Sequence, residues 1–568
     1  MKIYFRSGKQ KYAFFSTFAC NTTLMKTISG HIVDVVSNCI FDGIVTYSHG
    51  RIQSIEPASA VTDQFLIPGL IDAHIHIESS MMIPSVFARQ VLPHGTVACV
   101  CDPHEIANVC GIPGIDYMIN DGKKSPLKFY FGAPSCVPAT HVETSGAVLN
   151  ASDVKMLLKR DDIHFLAEMM NFPGVLFGDE QVRLKLSYAR ELNKPIDGHA
   201  PELSGDGLRT YVDEGISTDH ECMSLAEAKE KMALGMNILI REGSAARNLD
   251  DLMPLLKDHS DKVMFCSDDK HPDDLLKNGH LDNHLRRIVA KGYSALDALR
   301  CCSLNPIRHY NLNIGLLQEG DRADFVVVNN LTDFLVKETW IGGTLVAENG
   351  SVCYPATEPS EPINQFNALP IAAKDLQVTP TGKQMRVIVA EDGQLQTSVL
   401  LAEPLLENGS VVSDTENDVL KLVVYNRYQP SKPAIGFIKN IGLKRGAIAS
   451  TVAHDSHNIV AVGVSDHEIA SAINRLIDCK GGIVAVDGKE MELLPLPVGG
   501  LMSDADGASI ATAYEKADAM AKKLGSPLGA PFMTLAFMSL LVIPELKLGD
   551  KGLFEILKFS FTDLFTND

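Results

Sequence analysis

FLIPGLIDAHIH, residues 65–76, is an apolar run that ends in two histidines one residue apart. Alternate side chains of a strand share a face, so His74 and His76 aim two imidazoles the same way from its C-terminal end. Seven further runs follow: TVACVCDPH (96–104), KFYFGAPSC (128–136), HFLAEMMNF (164–172), PIDGHAP (195–201), ISTDHE (216–221), NILIREGSA (237–245) and KVMFCSDD (262–269). A segment of helical or loop character separates each run from the next, and that alternation implies parallel βαβ units. Eight such strands are expected to close into an α/β barrel of the (β/α)8 TIM type over residues 67–310, with its active site at the C-terminal strand ends. The reactive residue types fall where this arrangement needs them: His74, His76, His104, Glu168, His199, His220 and Asp268 each lie at or near the end of a run.

The flanks read differently. Residues 28–67 alternate in short strands with turn signals at Asp42-Gly43 and His49-Gly50, and RADFVVVN and TLVAENG bring the pattern back within residues 315–354. One small β-sandwich domain assembled from both flanking segments, 25–66 and 311–360, is the expectation. Residues 1–24, ahead of Met25, are expected to be an N-terminal extension; charges interrupt its apolar stretch, which argues against a secretory signal. PATEPSEPINQF (355–366) reads as a proline-bearing linker into a C-terminal α+β domain over 361–568. That domain carries the strand-like VLKLVVYNRY and NIVAVGV and the helical ASAINRLID. His280 and His284 read as solvated helix or loop residues.

Composition narrows the class. At 568 residues the chain exceeds what one core organises, and 45% hydrophobic with 21% charged residues is ordinary for a globular protein. A net charge of −19 without a basic cluster argues against nucleic acid or an anionic membrane as partner, and for a small neutral or cationic ligand. Twelve cysteines, none in a C-x-x-C pair and several inside apolar runs, point to a reducing cytoplasm. No run of about 18 apolar residues is present to span a bilayer, so no membrane partner is expected.

A strand H-x-H is by itself more often a coincidence than a ligand pair, and a lone strand histidine such as His199 or His220 more often satisfies a backbone carbonyl. The series reverses both readings, because a carboxylate, two histidines and an aspartate follow at later strand ends. A bound divalent metal lowers the pKa of its water from about 16 to near 7. Imidazoles suit borderline metals, and Glu168 can offer one oxygen to each of two ions, which leaves Mn²⁺, Fe²⁺ and Zn²⁺ open. Asp268 is placed to coordinate metal, accept a proton from the nucleophile and return it to a leaving nitrogen.

The order H-x-H, bridging residue, His, His, Asp resembles the amidohydrolase superfamily of metal-dependent hydrolases over nearly the whole barrel. The resemblance implies that His74 and His76 bind one metal, that His199 and His220 bind a second, and that a fourth-strand residue bridges them. Many members bridge with a carboxylated lysine; this chain offers Glu168, as adenine deaminases do. The superfamily's Ser-Asp pattern selects Asp268 over Asp269, which is left to cap or hold a loop. Further stretches are similar to the adenine deaminase family: PGLIDAHIHIESSM, CDPHEIANVCG, SCVPAT with ETSGA, EMMNFPGV, DGHAP, TDHE, REGSAARNL, FCSDD with DLLKNGHLD, AHDSHN and LPLPVGGLMSD. The resemblance implies a homo-oligomeric cytoplasmic enzyme of purine salvage that hydrolyses adenine to hypoxanthine and ammonia, by attack of metal-bound hydroxide on C6. Two divalent ions are expected, Mn²⁺ or Fe²⁺, with Zn²⁺ open.

Substrate contacts are expected from His104, Glu143, Ser145, His454 and Asp455. Glu105 could assist protonation of a ring nitrogen while His104 completes the metal shell; spacing does not separate the two roles. ETSGA could equally be a turn before a helix, and the HDSHN cluster (454–458) a further ligand set, a wall of the site or a surface turn. The rivals are a cyclic-amide hydrolase of the dihydroorotase or hydantoinase type, disfavoured by Glu168 in place of lysine, and a catalytically silent barrel scaffold, which missing ligands would mark. Cytidine-deaminase chemistry is excluded, because it needs a P-C-x-x-C.

Overall fold

In the computed structural model, which describes residues 25–244, 246–358 and 360–567, the run 65–76 divides in two. Phe65–Pro68 belongs to the flanking sheet, and the barrel strand β1 is Leu70–Ile75. Gly69 makes the break feasible, since a Cβ there would lie 2.3 Å from the Val97 side chain. The other barrel strands are β2 (Thr96–Cys101), β3 (Lys128–Ala133), β4 (Ile163–Met169), β5 (Ile196–Gly198), β6 (Thr218–Asp219), β7 (Asn237–Arg241) and β8 (Val263–Cys266).

β1 to β5 form one parallel sheet in sequence order, and β6 to β8 a second. The arcs join through Ser217 N–H to Ile196 O at 3.0 Å, and the ring closes through a parallel bridge between Ile75 and Asp268. Eight parallel strands therefore go round, in a TIM-type α/β fold. β1, β2 and β8 are buried along their whole length, which is why they read as continuous apolar runs. Local chemistry starts the intervening helices: Asn150 and Asp153 form a capping box on Ala151–Leu158, and the Ser224 side chain caps Leu225–Ala233.

Both flanks enter one eight-stranded sheet, joined where Phe65–Pro68 pairs antiparallel with Phe325–Val328. Alternation decides what each face covers. Ile32, Leu66, Phe325 and Val327 pack in one buried cluster, whereas Val33, Ile67, Val326 and Val328 pack with barrel residues such as Ile238 and Phe265. Asp42-Gly43 is not a turn, as its composition suggests, but lies inside Cys39–Ser48, where Asp42 Oδ1 meets His31 Nδ1 at 2.7 Å across the register. His49-Gly50 is a turn, with φ of 52° and 74°.

Beyond a stretch without regular structure at 361–372, a nine-stranded sheet carries the helices Asp466–Cys479 and Gly507–Lys523. Residues 451–458 link its adjacent strands Ala447–Ser450 and Ile459–Gly463, and this loop holds the HDSHN cluster. The C-terminal segment lies against the barrel: Ser503 N–H donates to Met81 O at 2.9 Å and Asn458 Nδ2 to Thr144 O at 2.9 Å. The expectation for His280 and His284 is corrected, since both are 1% exposed. Their rings turn inward to satisfy polar groups of the barrel wall, Thr96 Oγ1 at 2.7 Å for His280 and Cys266 O at 3.1 Å for His284. Among the described residues no helix is long and apolar enough to cross a membrane.

Candidate active site

The C-terminal ends of β1, β2, β4, β5, β6 and β8 bring His74, His76, His104, Glu168, His199, His220 and Asp268 into one largely buried cluster. The Nε2 atoms of His74 and His76 lie 3.2 Å apart, and Asp268 Oδ1 is 3.4 and 3.3 Å from them. Glu168 stands between two histidine sets and faces each with a different oxygen. Its Oε1 is 3.5 Å from His76 Nε2 and 3.4 Å from His104 Nδ1; its Oε2 is 2.9 Å from His199 Nδ1 and 3.1 Å from His220 Nε2. The His74 and His220 rings stack at 4.2 Å, so the sets share one wall.

Groups that sequence reasoning missed hold this cluster. Asp102 Oδ1 accepts the N–H of His104 at 3.1 Å, while its Oδ2 lies 3.1 Å from His104 Nδ1 off the line of a hydrogen bond. Arg241, at the end of β7, donates to Asp268 Oδ2 at 2.7 Å and also grips Glu221. Lys231, fully buried, donates to Asp219 at 2.9 Å and Glu227 at 2.7 Å. Asp219 accepts the N–H groups of Ala200 and Glu221, the residues after His199 and His220, at 2.8 and 3.2 Å. Charge at the end of an apolar run could have marked Asp102 and Arg241; Lys231 sits in the charged helix LAEAKEKMA, where nothing in the sequence marks it.

The C-terminal segment reaches the same rim. His454 Nδ1 and His457 Nε2 each contact one carboxylate oxygen of Glu105, and the His454 ring stacks on Phe537 at 4.4 Å. Glu143 and Asp455 are buried there, each with one oxygen lacking a hydrogen-bond partner. Burial, with Asp455 nearby, pushes Glu143 up to about 8; burial, with Glu105, pushes Asp455 up to about 6. Ser145 is half-buried, and its hydroxyl is engaged within its own loop, donating to Ala147 O at 2.6 Å.

The donor set fits a divalent metal. Imidazole nitrogens and carboxylate oxygens within 4.8 Å of one another suit borderline first-row ions, and His74 Nδ1, His104 Nδ1 and Asp102 Oδ2 are buried without hydrogen-bond partners. The electrostatics agree. Burial alone would lower His199, yet Glu221 and Glu168 raise it to about 9, and Asp268 and Glu168 likewise hold His76 well above its ordinary value against burial. Carboxylates therefore favour positive charge at these imidazoles, the same field that would favour a bound cation.

A TIM-type barrel with this rim defines a metal-dependent hydrolase of the amidohydrolase class, and residues 65–346 match the model of the amidohydrolase family. Residues 394–560 match the model described as the adenine deaminase C-terminal domain. The chain is 52% identical to the adenine deaminase of Methanosarcina mazei, over 96% of this chain and 100% of that one. It is 52% identical to that of Methanosarcina barkeri over the same shares, and 49% identical to that of Salinibacter ruber over 95% of this chain and 99% of the relative. This chain belongs to the adenine deaminase family.

Proposed function

We propose that this chain hydrolyses adenine to hypoxanthine and ammonia at a centre holding two divalent ions, Mn²⁺ or Fe²⁺, with Zn²⁺ as a third option. His74, His76 and Asp268 would hold one ion and His199 and His220 the other, with Glu168 placed between the two sets. The observation that carries this reading is the split of Glu168, with Oε1 toward His76 at 3.5 Å and Oε2 toward His199 at 2.9 Å. When bound, such ions supply Lewis acidity and a water whose pKa is lowered to near 7.

The chain's own residues do the rest. Asp268, with Oδ2 tied to Arg241 and Oδ1 facing the first-strand imidazoles, takes the proton of the attacking water and returns it to the C6 amino nitrogen, which leaves as ammonia. Glu105 hydrogen-bonds a ring nitrogen and assists its protonation, with His454 and His457 on its two oxygens. His104, Glu143, Ser145, His454 and Asp455 orient the base; the Glu143 carboxyl, protonated near neutral pH, offers a donor. We assign the enzyme to cytoplasmic purine salvage as a homo-oligomer. We divide the chain into the segment 1–24, which lies outside the described residues, a flanking β domain (25–66 with 311–360), the barrel (67–310) and a C-terminal α+β domain (361–568).

The test is turnover by protein loaded separately with Mn²⁺, Fe²⁺ and Zn²⁺ and offered adenine, adenosine, cytosine, dihydroorotate and hydantoin, with ammonia and ultraviolet change followed. Ammonia from adenine is expected. Ring opening without ammonia would assign a cyclic-amide hydrolase, and no turnover under any loading a silent barrel.

A further inference from the structure

The barrel closes with little backbone. Between β8 and β1 there is the single bridge Ile75–Asp268 and the hydrogen bond from Asp268 N–H to His74 O at 3.0 Å. So short a seam leaves neighbouring amides in need of partners. Asp72, fully buried two residues before His74, supplies them from its side chain. Its Oδ1 accepts the N–H of Ser267 at 3.0 Å and that of His74 at 3.3 Å, and its Oδ2 accepts Ser267 Oγ–H at 2.5 Å. His280 reaches the same carboxylate from the segment after β8. Its Nε2 lies 3.0 Å from Asp72 Oδ2, off the line of an ideal hydrogen bond, and its Nδ1 is 2.7 Å from Thr96 Oγ1 at the start of β2. Two residues before His74, the carboxylate thus ties β1 to the residue after β8, and His280 packed against it extends the link to β2.

Asp268 needs that support. Its φ is +51°, the left-handed region, which costs a non-glycine residue on the order of 1–2 kcal/mol and persists only where the surroundings over-determine it. Its amide is held by His74 O, its Oδ2 by Arg241, and the residue before it by Asp72. Freed at Ser267, the backbone would relax and carry Oδ1 away from His74 and His76.

We propose that Asp72 and His280 form a buried clasp that positions Asp268 for proton transfer, a role that rests on the function assigned to Asp268 above. His280 contacts Asp72, Thr96 and the Phe87 ring, none of which belongs to the donor cluster, so it acts as a positioning residue.

The test uses the full-length, Mn²⁺-loaded chain. Absence of adenine turnover by the wild type would overturn the assigned reaction, and the clasp with it. With wild-type turnover in hand, His280→Leu is expected to lower kcat about 10- to 100-fold, since a misplacement of about 1 Å can cost 10²-fold. Ser267→Ala and Thr96→Val are expected to lower it by smaller factors. KM stays at the wild-type value, bound metal falls far less than kcat because His74, His76 and Glu168 still face the ion, and His280→Gln, which keeps a donor, recovers part of the rate. In an Asp268→Asn background His280→Leu adds no further loss, because its effect runs through Asp268. Should His280→Leu fail to fold, Ser267→Ala and Thr96→Val carry the same comparison. Unchanged kcat in these variants, loss of metal in step with kcat, or a His280→Leu penalty that multiplies that of Asp268→Asn would overturn the proposal.

Discussion

Arg241 Nη1 and Asp268 Oδ2 lie 2.7 Å apart across the β7–β8 pair, both side chains buried. The contact leaves Asp268 Oδ1 for His74 and His76, and it sets the charge of the carboxylate. Burial alone would raise Asp268, but Arg241, with His74 and His76, holds it well below the usual carboxylate range. Arg241→Gln removes the largest of these opposing effects, so Asp268 becomes harder to ionise. The acid limb of the kcat/KM–pH profile is therefore expected to move to higher pH, with about tenfold less activity at its acid end. Arg241→Lys, which keeps the charge but not the planar fork, falls between. A pH–rate series on the three proteins checks this.

Glu143 offers a stability test with a definite sign. Burial raises its folded pKa to about 8, above its ordinary value near 4.5, so the folded state binds the extra proton between those values. That contribution is fully present below pH 4.5 and is lost as pH rises through 8. Glu143→Gln cannot lose it. The Tm of the variant minus that of the wild type is expected near zero at pH 5 and positive at pH 9, by an amount corresponding to on the order of 2–4 kcal/mol. Calorimetry at the two pH values reads the difference.

Lys231 is expected to matter far more than an ordinary helix lysine. Lys231→Met leaves Asp219 buried and unpaired, at a cost of about 3–5 kcal/mol. It also loosens the amides that Asp219 holds after His199 and His220, so metal retention in a chelator challenge should fall together with Tm.

His454→Ala and His457→Ala test whether the C-terminal segment completes the site. Each strips a partner from the buried Glu105, and each should lower kcat/KM about 10- to 100-fold, in the range of a lost proton-transfer group. Bound metal, measured by elemental analysis, should stay near the wild-type level, because neither imidazole stands beside Glu168.

What the sequence made legible follows from range. His74 and His76 are paired by strand alternation, and the strand-end series told which face of the barrel would carry chemistry, so those residues were readable from local pattern. Arg241 was not, because its partner is 27 residues away and meets it only once β7 and β8 are in register. His280 read as solvated for the same reason: its partners Asp72 and Thr96 come from the opposite end of the barrel sequence. Asp42-Gly43 carries turn chemistry, but the segment Cys39–Ser48 is paired antiparallel on both edges, and that ladder outweighs it. Glu105 and His454 were both candidates, yet nothing in a linear reading joins residues 349 positions apart.

The most direct test of the account is parallel measurement of bound Mn²⁺ and of ammonia released from adenine in the wild type, Glu168→Gln and Asp268→Asn. The account predicts about two ions per chain and turnover in the wild type, loss of both in Glu168→Gln, and retained metal with most turnover lost in Asp268→Asn. Ammonia release that is indifferent to metal, or a Glu168→Gln protein that keeps both its ions and its activity, would contradict it.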